Sequence, residues 1–103
     1  MNLQVTREDD GNWIVLLVTG DINALNAEQL EVPLLEAATT PSKHVALDFG
    51  GVAYVSSAGL RVLMMAAKRM RLRNERLSLR HVQPAVLTVL QVSRFTSFLD
   101  VVS

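Results

Sequence analysis

Apolar and polar positions alternate at the start of the chain, where Leu3, Val5 and Arg7 keep a period of two against polar neighbours. Glu8-Asp9-Asp10-Gly11-Asn12 then supplies turn chemistry, and the run WIVLLVTG from Trp13 to Gly20 is apolar throughout its centre. Together they predict a β-hairpin leading into a buried strand. From Gly20 the period lengthens. In GDINALNAEQLEVPLLEAAT, Leu30, Leu34 and Ala37 fall on one helical face. Asn23 or Asn26 supplies the N-cap, and Gln29, three residues after Asn26, completes a capping-box-like pair. Pro33 conflicts with this helix, because it has no N–H and its ring presses on the carbonyl of Gln29. The conflict predicts a bend or a later helix start.

Thr40-Pro41-Ser42-Lys43 breaks the pattern, and HVALDF (His44 to Phe49) is apolar and β-branched enough for a central strand. A short connection, GGVAYVS, follows. From Ser57 to about Arg73 the spacing is helical again, with Leu60, Leu63, Met64 and Ala67 on one face and Arg61, Met65 and Lys68 on another. Arg69, Arg71 and Arg73 crowd the end of this helix, where cations favour its dipole. In RLSLRHV, Leu77, Leu79 and His81 alternate as in a strand, Pro84 suits the first turn of a helix over PAVLTVLQV, and FTSFLDVV is a last amphipathic stretch. Strands separated by helices imply an α/β layer structure with a partly parallel sheet. No repeat, low-complexity tract or linker divides residues 1–103, which read as one domain.

Composition narrows the chemistry. Ten basic and ten acidic residues cancel, which argues against a nucleic-acid surface spread over the whole domain. No cysteine is present, so disulfides, thiol catalysis and thiolate metal sites are all excluded. The N-terminus lacks the basic start and apolar block of a secretory signal, and no apolar run approaches the roughly 20 residues that span a bilayer. The expectation is a cytoplasmic protein without membrane insertion.

The stretch YVSSAGLRVL carries the most suggestive chemistry, because it places Ser56 and Ser57 where strand-like sequence gives way to helix. A hydrolase nucleophile elbow needs glycine two residues either side of the serine, and neither serine has that frame. His44 and His81 show no spacing that would pair them with a serine, and no metal-ligand cluster or P-loop is present. KRMRLRNER is more economically a solvated helix end than a nucleic-acid patch. Met65, between Arg61 and Lys68, suits an adaptable protein contact. A serine at a helix start caps backbone donors. The same place also tolerates a phosphate, whose charge a docking partner would then meet.

These segments resemble the STAS domains, among them the bacterial anti-sigma factor antagonists. GDINALNAEQL is similar to the family's segment entering its first long helix, and VALDFGGVAYVSSAGLRVL to its strand, loop and phosphorylation-site helix. Aligned on Gly59-Leu60, Ser57 takes the place of the phosphorylated serine, with Ser56 as the second choice. Ser56 stands for the family's aspartate, Ala58 for its Ser or Thr, Arg61 for a frequent Gly and Asn23 for a usual aspartate, while Asp21 matches. The resemblance implies a four- to five-stranded mixed sheet flanked by helices, without catalytic activity, cofactor or metal. It implies a partner surface of Asp21, Asn23, Asn26, Ser56, Ala58, Gly59, Arg61 and Met65. The implied partners are an anti-sigma factor serine kinase, released by phosphorylation, and a PP2C-type phosphatase that resets the switch. The replaced acidic positions also suit an alternative, an unphosphorylated STAS scaffold of a lipid-transport or sensory complex.

Overall fold

The computed structural model describes residues 2–102. Strand β1 (Gln4–Asp10) turns through Gly11 into β2 (Trp13–Thr19), and helix α1 (Ala27–Ala38), strand β3 (His44–Gly51) and helix α2 (Ser57–Arg71) follow. Strand β4 (Leu77–Arg80), helix α3 (Pro84–Val92), a 3-10 turn (Phe95–Ser97) and strand β5 (Leu99–Val102) complete the order. Gly11 adopts a φ of 61°, the left-handed conformation that a tight hairpin requires and glycine supplies at no steric cost.

The strands lie in the sheet in sequence order, β1-β2-β3-β4-β5. The first pair is antiparallel and the other three are parallel, because each later connection is a helical crossover. Crossovers that step in one direction with the usual right-handed sense place their helices on one face. In agreement, α1, α2 and α3 share a single core with inward residues of the strands, including Ile14, Leu16, Leu47, Phe49, Leu79 and Leu99. Ala46 is fully buried yet outside that core, since the period of two turns it to the opposite face between Val45 and Leu47. On that face Trp13 packs its ring 5.0 Å from His44 and accepts the Arg80 guanidinium at 4.9 Å.

Strand β1 is a sheet edge, and its row of exposed charges blunts it against pairing with another chain. There the Arg7 guanidinium donates to Asp9 at 2.9 Å and holds that carboxyl below its usual range.

Four local expectations need correction. The Asn26–Gln29 capping box is not formed: Asn26 makes no side-chain cap bond to α1, because its carboxamide oxygen is taken by the backbone N–H of Asn23. Of the bend or later start expected at Pro33, the later start does not occur, because helix α1 begins ahead of Pro33 and continues through it. Pro33 has no N–H to offer the carbonyl of Gln29, and Gln29 is an exposed residue. The buried face of α2 is Gly59, Val62, Leu63, Ala66, Ala67 and Met70, with Leu60 and Met64 only half-buried. That is about a quarter turn from the expected face, and the cause is Gly59, which must point inward. Finally, His81 lies beyond β4 at a φ of 57°, with its Nδ1 3.0 Å from Asp48 Oδ2.

Candidate functional site

The segments leaving β2 and β3 meet beyond the C-terminal ends of the parallel strands. Gly20 N donates to Gly51 O at 3.0 Å, Ile22 N to Tyr54 O at 2.9 Å, and Ser56 N to Ile22 O at 2.9 Å. The last two bonds form a short parallel bridge between Ile22 and Val55. Gly59, in the first turn of α2, packs directly on that bridge: a Cβ there would lie 2.7 Å from Ile22 Cγ2 and 2.8 Å from Val55 Cγ1. The glycine therefore brings the head of α2 against the Gly20–Asn26 loop. Gly59, one of the residues expected on a partner surface, is buried, and it supports the head of α2 from beneath.

The two serines divide the work between them. Ser56 is the N-cap, with extended backbone and an Oγ that accepts from Gly59 N at 3.3 Å. Ser57 is the first residue of α2, is exposed, and its hydroxyl takes part in no hydrogen bond among the described residues. The first turn of α2 contains no acidic residue, so the positive end of the helix dipole, where Ser57 lies, has no local compensation. Arg61, exposed one turn further on, makes no ion pair among the described residues. Such a place takes negative charge without stressing the fold. His44 and His81 pair instead with Glu75 at 2.7 Å and Asp48 at 3.0 Å, and neither is hydrogen-bonded to a serine.

The facing loop is stitched by its two asparagines. Asn23 Oδ1 accepts from Leu25 N at 2.9 Å and Asn26 N at 3.2 Å, Asn26 Oδ1 accepts from Asn23 N at 2.9 Å, and Asn26 Nδ2 donates to Asp21 O at 2.8 Å. Asn23→Ala removes the acceptor of two backbone donors and should cost about 1 kcal/mol in urea unfolding. It should also speed hydrogen exchange at Leu25 and Asn26. Asp21 is exposed, Ala58 is half-buried against the core, and Met65 is half-buried rather than fully presented.

Two apolar side chains beside this site escaped sequence reasoning. Leu25 is 97% exposed at the top of the stitched loop, and Tyr54 is 53% exposed on the connection into α2. Their signal was present in the sequence, since Leu25 sits between two turn-forming asparagines and off the Leu30-Leu34-Ala37 face.

A family model described as "Mlab, STAS domain" matches residues 5–102. The chain belongs to the STAS family. The STAS domain is 34% identical over 99 residues to BtrV of Bordetella bronchiseptica, named as a candidate anti-sigma factor antagonist, covering 96% of this chain and 85% of that protein. Its fold matches the crystal structure of an anti-sigma factor antagonist from Mycobacterium paratuberculosis with a TM-score of 0.86 at 17% identity, over 97% of this chain and 85% of the other. The Bacillus cell fate determinant SpoIIAA in its phosphorylated form matches with a TM-score of 0.72 at 14% identity, over 99% and 92%. Among the described residues, no helix of the STAS domain is long and apolar enough to cross a membrane.

Proposed function

We propose that this STAS domain is an anti-sigma factor antagonist that works by partner switching in the cytoplasm. Unphosphorylated, it binds an anti-sigma factor that is also a serine kinase. Phosphorylation of Ser57 releases it, and a PP2C-type phosphatase restores the binding form. The domain itself performs no catalysis. The observation that carries this reading is the separation of roles at the head of α2, where Ser56 caps the helix and leaves the exposed Ser57 hydroxyl free. The name of BtrV supports it.

The physics of the switch follows from that geometry. A phosphate on Ser57 adds about two negative charges and sits at a helix N-terminus that favours them. The fold is undisturbed. A partner seated over Ser57 must instead desolvate or repel that charge, and its binding is lost at the interface. Arg61 is near enough in sequence, one turn along α2, to tune the charge at this surface.

Affinity for a candidate anti-sigma kinase, measured with ADP or ATP, tests the reading. The parent and Ser57→Ala should bind alike, Ser57→Asp should bind at least about tenfold more weakly, and ATP should release only the parent. Circular dichroism should show all three folded, and mass spectrometry should place the phosphate on Ser57. Equal binding by all three, unaffected by ATP, would reject the switch and favour a permanent, unphosphorylated complex, the scaffold role that Asn23 and Ser56 in place of acidic residues also suit.

A further inference from the structure

Ser57, Arg61, Met64, Lys68 and Arg71 follow one another at intervals of four and three residues, and so form one stripe along α2. The far end of that stripe opens into a groove of about 620 Å³ between α2 and the segment entering β5. Met64, Ala67 and Phe98 supply its apolar surface, while Lys68, Arg71 and Arg76 supply cations. Phe98 remains 42% exposed.

The charges in the groove are not equally available. The Glu75 carboxylate is engaged by His44 at 2.7 Å and by Arg73 at 3.6 Å. Arg76 pairs with Asp100 at 3.2 Å and donates to Ser97 O at 2.8 Å. Lys68 and Arg71 are exposed and have no carboxylate within 4.0 Å among the described residues. The groove thus presents two uncommitted cations above an apolar floor.

This combination selects its occupant. A small anion would use the cations and leave Phe98 and Met64 wet. A nucleic acid would need a longer basic track than a domain of net charge zero provides. A helix with one apolar face flanked by carboxylates satisfies both halves of the site, in the helix-in-groove mode. We propose that this groove docks an acidic amphipathic helix of a partner protein. The proposal goes beyond the switch at Ser57. Ser57 and Arg71 are fourteen positions apart, or about 21 Å of helix, so a phosphate at one end leaves the groove at the other end intact.

A synthetic amphipathic helix of about 18 leucine and glutamate residues, titrated into the isotope-labelled domain, tests this directly. The peptide should shift the backbone amides of Met64, Lys68, Arg71 and Phe98 saturably, and added salt should weaken it. Lys68→Glu combined with Arg71→Glu should reduce affinity at least about tenfold. Phe98→Ala should reduce it about fivefold, with amide spectra confirming the fold of each variant. Ser57→Asp should leave peptide binding unchanged, which separates this result from the fate of the phosphorylation reading. The proposal is overturned by shifts confined to other residues, by no saturable binding, or by equal binding of a counterpart with lysine for every glutamate. Tighter binding of a short single-stranded oligonucleotide or of phosphatidylglycerol vesicles at the same residues would overturn it as well.

Discussion

Gly59→Val is expected to destabilise the domain by about 3 kcal/mol, near the upper end of the overpacking range. The difficulty is one of space. A Cβ at this position would sit 2.7 Å and 2.8 Å from methyl groups of Ile22 and Val55, and both neighbours are β-branched and buried, with 0% and 4% exposure. Neither can swing aside as the end of a long side chain would. Gly59→Ala introduces the same first clash but gains about 1 kcal/mol of helix propensity, so its net loss should be smaller. Urea unfolding of both variants would establish the order. Ile22→Ala removes the methyl that is struck first, so a cycle with Gly59→Ala should show a compensating coupling of about 1 kcal/mol. A parent-like midpoint for Gly59→Val would mean that α2 does not lean on the Ile22–Val55 bridge. The functional cost should track the stability cost, since the same contact holds Ser57 beside the Asn23–Asn26 loop.

Phe49→Ala should be at least as severe, at about 3–5 kcal/mol. Phe49 is fully buried near the end of β3, in the same core as α1 and α2. Its removal forfeits both transfer energy and packing in a sheet buttressed from one side. Total stabilities of such domains are about 5–15 kcal/mol, so the variant should lose a large share of its stability and melt well below the parent. Thermal denaturation checks this. An unchanged melting temperature would place Phe49 outside the core.

The class of fold was legible because the strands and helices announce themselves by period. WIVLLVTG and HVALDF could hardly be anything but strands, and the helical spacing after Ser57 stood out clearly. What stayed hidden depended on contacts between segments distant in sequence. The roll of α2 is set by Gly59 against Ile22, a residue 37 positions earlier, and no local periodicity contains that information. The asparagine pair was recognised as capping chemistry, but its bonds turned inward to the loop and away from Gln29. By its position in the sequence Arg73 reads as a dipole-compensating cation at a helix end. It instead donates to the carbonyls of Thr40 and Lys43, tying the α1–β3 connection to the end of α2. Ser56 and Ser57 were found together by sequence, and only geometry assigned the cap to one and left the other free.

The agreement between strand order in sequence and in space has a consequence for how the molecule is made. No strand has to be inserted between two that are already paired, so the sheet can grow from one edge as the chain leaves the ribosome. The hairpin of β1 and β2 is local in sequence, and each crossover then adds one helix and one strand to the exposed border. Until β5 arrives, that border is β4, where Leu77, Ser78 and Leu79 are all buried in the finished domain. Strand β5 therefore closes an edge whose side chains are buried in the finished domain. A nascent chain stalled before β5 would leave that edge open and be in need of a chaperone.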